Sequence, residues 1–118
     1  MLPPIYSILS SDSSVSTLVG DRIYPHGDAP EGVFKPYVTW FLVSGLPENE
    51  LDDTPSVDRC SAQIDCWSDT SSGVVDLAMA VRDAIEQHAH VISVPINGRE
   101  PETMLYRIAI QIDYWLSR

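Results

Sequence analysis

The stretch from Val57 to Gln87 constrains the fold more than any other. Cys60, Ala62, Ile64 and Cys66 alternate with Arg59, Ser61, Gln63 and Asp65, which is the period of a half-buried strand. Ser68 to Gly73 breaks that pattern. Val74, Leu77, Ala78, Val81, Ala84 and Ile85 then recur at helical spacing, leaving Asp76, Arg82, Asp83 and Glu86 for solvent. A strand followed by a helix that returns across a sheet supplies a core, and the remaining segments are placed against it.

A chain of 118 residues suffices for one domain, expected over residues 1–118. Seven basic residues against 17 acidic ones give a formal charge of −10, with Lys35 the single lysine. That balance argues against nucleic-acid affinity, since each phosphate contact needs a cationic donor, and against an acidic membrane surface. No apolar run approaches a transmembrane span, and Met-Leu-Pro-Pro lacks the basic start of a signal peptide, so a cytosolic origin is expected. Cys60 and Cys66 share one strand face about 20 Å apart, too far for a disulfide. Both are expected as buried free thiols.

Taken in order, Pro3 and Pro4 suit the first turn of a short helix carrying Ile5, Ile8 and Leu9. Asp12 is placed to cap a second one carrying Val15, Leu18 and Val19, which Gly20 ends. Arg22 to Pro25 is a brief strand at best, and His26 to Pro36 an ordered loop. Tyr37 to Ser44 is apolar on both faces, with Tyr37, Phe41 and Val43 alternating with Val38, Trp40 and Leu42. Gly45 to Ser56 is longer than a hairpin needs and holds Glu48, Glu50, Leu51, Asp52 and Asp53, which suggests a projecting partner-contact loop. Val91 to Ile96 is a strand followed by an Asn97-Gly98 hairpin signal, with Pro101 making the connection longer than a two-residue turn. The last strand, Thr103 to Trp115, sets Met104, Tyr106, Ile108, Ile110, Ile112 and Tyr114 toward the helix. The expected fold is α+β: an antiparallel sheet of about four main strands, with one long and one or two short helices on one face. The other face mixes Arg59, Arg107, Gln63 and Asp65 with Trp67, Trp115 and one side of the second strand, Trp40 included. Such a mixture suits a subunit interface. An ordinary solvated face with internal Arg–Asp pairs is the alternative.

Catalytic constellations are missing from the sequence. There is no G-x-S-x-G elbow, phosphate-binding G-x-x-x-x-G-K or G-x-G-x-x-G. Cys66 has no neighbouring base. His88 and His90 have no third ligand nearby, and the acidic run from Glu48 to Asp53 lacks the turn glycine and distal Glu of a calcium loop. No cofactor and no metal site are expected.

Four segments together resemble a family: Ile5–Leu9 leading to Leu18-Val-Gly-Asp-Arg-Ile-Tyr-Pro25; Pro36-Tyr-Val-Thr-Trp40; Gln63-Ile-Asp-Cys-Trp67 with Leu77-Ala-Met-Ala-Val-Arg-Asp-Ala-Ile85; and Tyr106-Arg-Ile-Ala-Ile-Gln-Ile-Asp-Tyr-Trp115. In order and spacing they are similar to the small tail-completion proteins of tailed bacteriophages, which act as tail terminators or tail-to-head joining proteins. The resemblance implies a non-enzymatic homo-oligomeric ring, a hexamer, that caps the tail tube, ends its polymerisation and meets a head-side connector or stopper protein. DNA would pass through the ring without specific binding. Six such chains would carry about −60 before screening, enough to repel DNA from the lumen. A neck adaptor or stopper ring is the alternative within assembly proteins. A small-molecule-binding or catalytic domain using the sheet face and His26 is the alternative outside them, and it requires a discrete pocket.

Overall fold

The computed structural model describes residues 4–25, 28–47 and 57–117. Two short helices, α1 (Ile5–Ser11) and α2 (Ser13–Val19), lead into β1 (Ile23–Pro25) and β2 (Tyr37–Pro47). The unit β3 (Val57–Ser68) and α3 (Ser71–Glu86) follows, then β4 (His90–Arg99) and β5 (Tyr106–Ser117). The five strands lie in the order β1-β2-β3-β5-β4.

Local chemistry accounts for the helix boundaries. Asp12 accepts hydrogen bonds from the Ser14 and Val15 N–H groups, and Gly20 ends α2 at a φ of 59°, a conformation that glycine adopts without a Cβ clash. Thr70 accepts from the Gly73 N–H and so caps α3, which starts three residues ahead of its first buried apolar residue. The buried residues of α3 are Val74, Leu77, Ala78, Val81, Ala84 and Ile85, the set its periodicity predicts. They pack on Ala62, Ile64 and Cys66 of β3 and on Ile108, Ile110 and Ile112 of β5, with Ile5, Leu9, Val15 and Val19 of the short helices closing the same core. All three helices therefore cover one face.

Three expectations are corrected. The sheet is mixed rather than antiparallel, because β1, the brief strand expected near residues 22–25, pairs parallel to β2 as a fifth strand while the other ladders are antiparallel. Asn97 and Gly98 are not a turn: they pair with Ile108 and Arg107, and β5 begins only at Tyr106. A turn at 97–98 would carry Pro101, which has no N–H, into the ladder. The chain instead reverses beyond Arg99, where the Glu100 N–H donates to the Leu105 carbonyl, the Met104 N–H donates back to the Glu100 carbonyl, and Met104 takes a φ of 61°. Met104 thus stands exposed in that turn, away from the helix. Finally, β2 runs on to Pro47, which pairs with Asp58, so Gly45, Leu46 and Pro47 belong to a strand rather than to a loop. The partner-contact residues Glu48, Glu50, Leu51, Asp52 and Asp53, and also His26, lie outside the described residues.

Candidate functional site

The face that the helices leave open is built from cross-strand rows, because residues paired across a ladder share a face. One row joins Tyr37, Trp67 and Arg107, and the next joins Thr39, Asp65 and Ala109. Beyond them stand Phe41, Gln63 and Gln111, then Ser61 and Asp113, then Arg59 and Trp115. Four of the predicted interface residues, Arg59, Trp67, Arg107 and Trp115, are therefore on this face. The fifth is not. Trp40 pairs with Ile64, which turns its indole into the helix-covered core at 8% exposure, where its ring N–H meets no acceptor.

At the centre of the face the side chains contact one another, although the buried Arg107 Nε meets no acceptor. The Tyr37 and Trp67 rings stack at 5.9 Å, and the Arg107 guanidinium lies over Trp67 at 4.9 Å. Arg107 Nη2 donates to Asp65 Oδ2 at 3.0 Å, Gln63 Nε2 donates to Asp65 Oδ1 at 2.9 Å, and Trp67 Nε1 donates to Thr39 Oγ1 at 3.0 Å. Asp65 is fully buried beneath this cover. Burial of Tyr37, and less so the charge of Glu100, pushes its phenol up. Trp67 and Arg107 are thus part of an internal network with an Arg–Asp pair, as the solvated-face alternative supposes, and both are half-buried.

The other end of the face differs. A strand of 12 residues spans about 40 Å, whereas the 16-residue α3 spans about 24 Å, so β2, β3 and β5 outrun the helix. Trp115 stands there at 42% exposure, edge-on to His90 at 5.2 Å. Ser61 donates to Asp113 at 2.5 Å in the adjoining row.

Two surface hollows flank β4. One of about 170 Å³ is lined by Ile96, Asn97, Gly98, Arg99, Glu100 and Arg107. The second, about 210 Å³, lies between α3 and β4, with Val75, Met79, Val94 and Ile110 in its wall beside the charged Arg82 and the polar Asn97. Sequence reasoning missed this groove, although Val75 and Met79 form an apolar i, i+4 pair outside the core set. Cys66 is buried, and burial followed by the adjacent Asp65 charge pushes its thiol up, which holds it protonated and unreactive. Among the described residues no group of three or more His, Cys, Asp or Glu can hold a metal ion, and no helix is long and apolar enough to cross a membrane. The described residues offer surfaces for contact.

Comparison with solved structures finds a chain in the virion of a native gene transfer agent (GTA) particle with a TM-score of 0.72 and 19% identity, covering 97% of this chain and 92% of that one. At that identity the likeness is one of fold. No curated protein sequence matches. The pattern of the family described as tail completion protein gp17 matches residues 3–117, a span that contains all eight elements. The chain therefore belongs to the tail completion protein gp17 family and is a structural, non-enzymatic protein of the virion tail.

Proposed function

We propose that this protein forms a homo-oligomeric ring, a hexamer, that caps the finished tail tube, ends its polymerisation and presents a surface to the head-side connector or stopper. The family match over residues 3–117 carries this reading. In it, DNA passes through the ring without specific binding, repelled by chains of formal charge −10. The open sheet face lies against a neighbouring chain, with Arg59 and Trp115 supplying its accessible end and Trp67 and Arg107 holding its centre rigid. The acidic segment with Glu48, Glu50, Leu51, Asp52 and Asp53, between β2 and β3, meets the tube or the head-side neighbour.

Native mass against concentration tests the ring. Light scattering from micromolar to near-millimolar protein is expected to show a species of about six chain masses, favoured by salt because screening shortens the reach of like charges from about 10 Å at 0.1 M to about 3 Å at 1 M. The same measurement on tail tubes from the same particle is expected to show the ring at one tube end. A chain that stays monomeric in solution and leaves tube ends bare would overturn the proposal.

A further inference from the structure

Gly98 lies inside β4, and nothing in its own chain calls for a glycine there. It pairs with Arg107 in the ladder and so belongs to a strand, not to a turn. Among the described residues the positive φ angles are at Gly20, Gly32 and Met104, not at Gly98. A Cβ built on Gly98 would have no other atom within 4 Å, in contrast to Gly73. A glycine within a strand costs stability, and it marks a place where a ligand or a second backbone comes close. No other segment of the chain fills that place. The hollow of about 170 Å³ is there, and Gly98 shares it with Arg107, Ile96 and Glu100. Arg107 belongs to the row of Tyr37 and Trp67, so the hollow adjoins the face that the helices leave open.

We propose that the backbone of a second copy of this chain enters the hollow against Gly98, and that this is a contact of the ring. The inference rests on the ring reading above and deepens it by naming where the open face admits its neighbour. The lining decides the chemistry. Arg107 is already paired with Asp65 at 3.0 Å, and Arg99 stands next to the opposite charge of Glu100. An incoming carboxylate would meet Glu100 and, further along the turn, the exposed Glu102. An incoming cation would meet two guanidinium groups. A peptide group is neutral and offers both a carbonyl to the donors of Arg99, Arg107 and Asn97 and an N–H to the Glu100 carboxylate. It also needs the close approach that a missing side chain permits. The second copy is the fitting source of that backbone for two reasons. The hollow is continuous, through Arg107, with the face proposed to lie against a neighbouring chain. In addition, β4 is the outermost strand of the sheet, so a neighbour reaches it without displacing any element.

Gly98→Ala and Gly98→Val test the contact, because the added Cβ meets no atom of its own chain. Both variants are expected to melt at or above the wild-type temperature, as side chains replacing a strand glycine do. Association is expected to weaken by about 10-fold or more for Gly98→Val, whose added carbons occupy space the neighbouring backbone needs, and by less for Gly98→Ala. Hydrogen exchange gives a second readout: the amides of residues 97–100 are expected to exchange more slowly in the wild-type ring than in the free chain. A wild-type chain that assembles, in solution or on tail tubes, while Gly98→Val assembles equally well, overturns this contact and leaves the ring standing. Exchange at residues 97–100 that ring formation leaves unchanged does the same, and slowing that appears only when the ring meets a tube or a head gives the hollow to that neighbour instead of to a second copy. If the wild-type chain assembles in neither setting, both readings fall.

Discussion

Cys66 shows how a buried thiol becomes a stability term. Burial, and secondarily Asp65, raise its folded-state pKa, so the folded chain keeps the proton after an unfolded thiol has lost it near pH 8.5. Its contribution is complete below about pH 8.5 and is lost as pH rises, at up to about 1.4 kcal/mol per pH unit. Tyr37 is raised too, but phenols of the unfolded chain ionise only near pH 10. Urea unfolding between pH 8 and 10 is therefore expected to show declining stability, and Cys66→Ala to flatten the decline by about one proton's slope. Identical slopes would show that the thiol does not contribute. Arg107 poses a different problem. Its partner Asp65 is wholly buried and Arg107 only partly exposed, so Arg107→Ala leaves a covered carboxylate with Gln63 alone, at an expected cost of about 3 kcal/mol. Adding Asp65→Ala is expected to cost less than the sum of the single changes, and strict additivity would mean that the pair is not coupled.

The strand-to-helix junction is the element on which the core depends. A Cβ added to Gly73 would lie 2.6 Å from Ser68 Oγ and 2.6 Å from Thr70 Oγ1, and the Thr70 hydroxyl is the cap that accepts the Gly73 N–H at 3.0 Å. Making room means turning that hydroxyl away. Gly73→Ala is expected to cost about 1–2 kcal/mol, similar to Thr70→Ala, and the double variant little more than either single one. Full additivity in thermal or urea unfolding would mean that the methyl group disturbs something other than the cap. This junction was legible in the sequence because the switch from alternating to helical spacing is local, although the Thr70 cap itself was not read from it. The end of β4 was not legible. Asn97-Gly98 is a strong local turn signal, but tertiary pairing overrides it by placing Arg99 opposite Tyr106 and holding Ile108, Ile110 and Ile112 under the helix.

At the scale of the whole molecule the chain is elongated, 52 × 29 × 23 Å, because its central strands outrun α3. Deleting residues 49–54, between β2 and β3, is expected to leave the unfolding midpoint nearly unchanged, since loop closure costs depend weakly on length, and to abolish joining of tails to heads. Normal joining after the deletion would remove that segment from the proposed contact. The sequence by itself determined the α+β class, the buried stripe of α3, the Asp12 cap and the face to which Arg59, Trp67, Arg107 and Trp115 belong, because each follows from a period of two or 3.6 residues and from neighbours in the chain. Tertiary structure alone decided that β1 adds a parallel edge, that Trp40 turns inward opposite Ile64, and that the centre of the open face satisfies its own charges. Such facts depend on which strands become neighbours, and pairing between distant segments is set by the packing of the whole core, which no local pattern encodes.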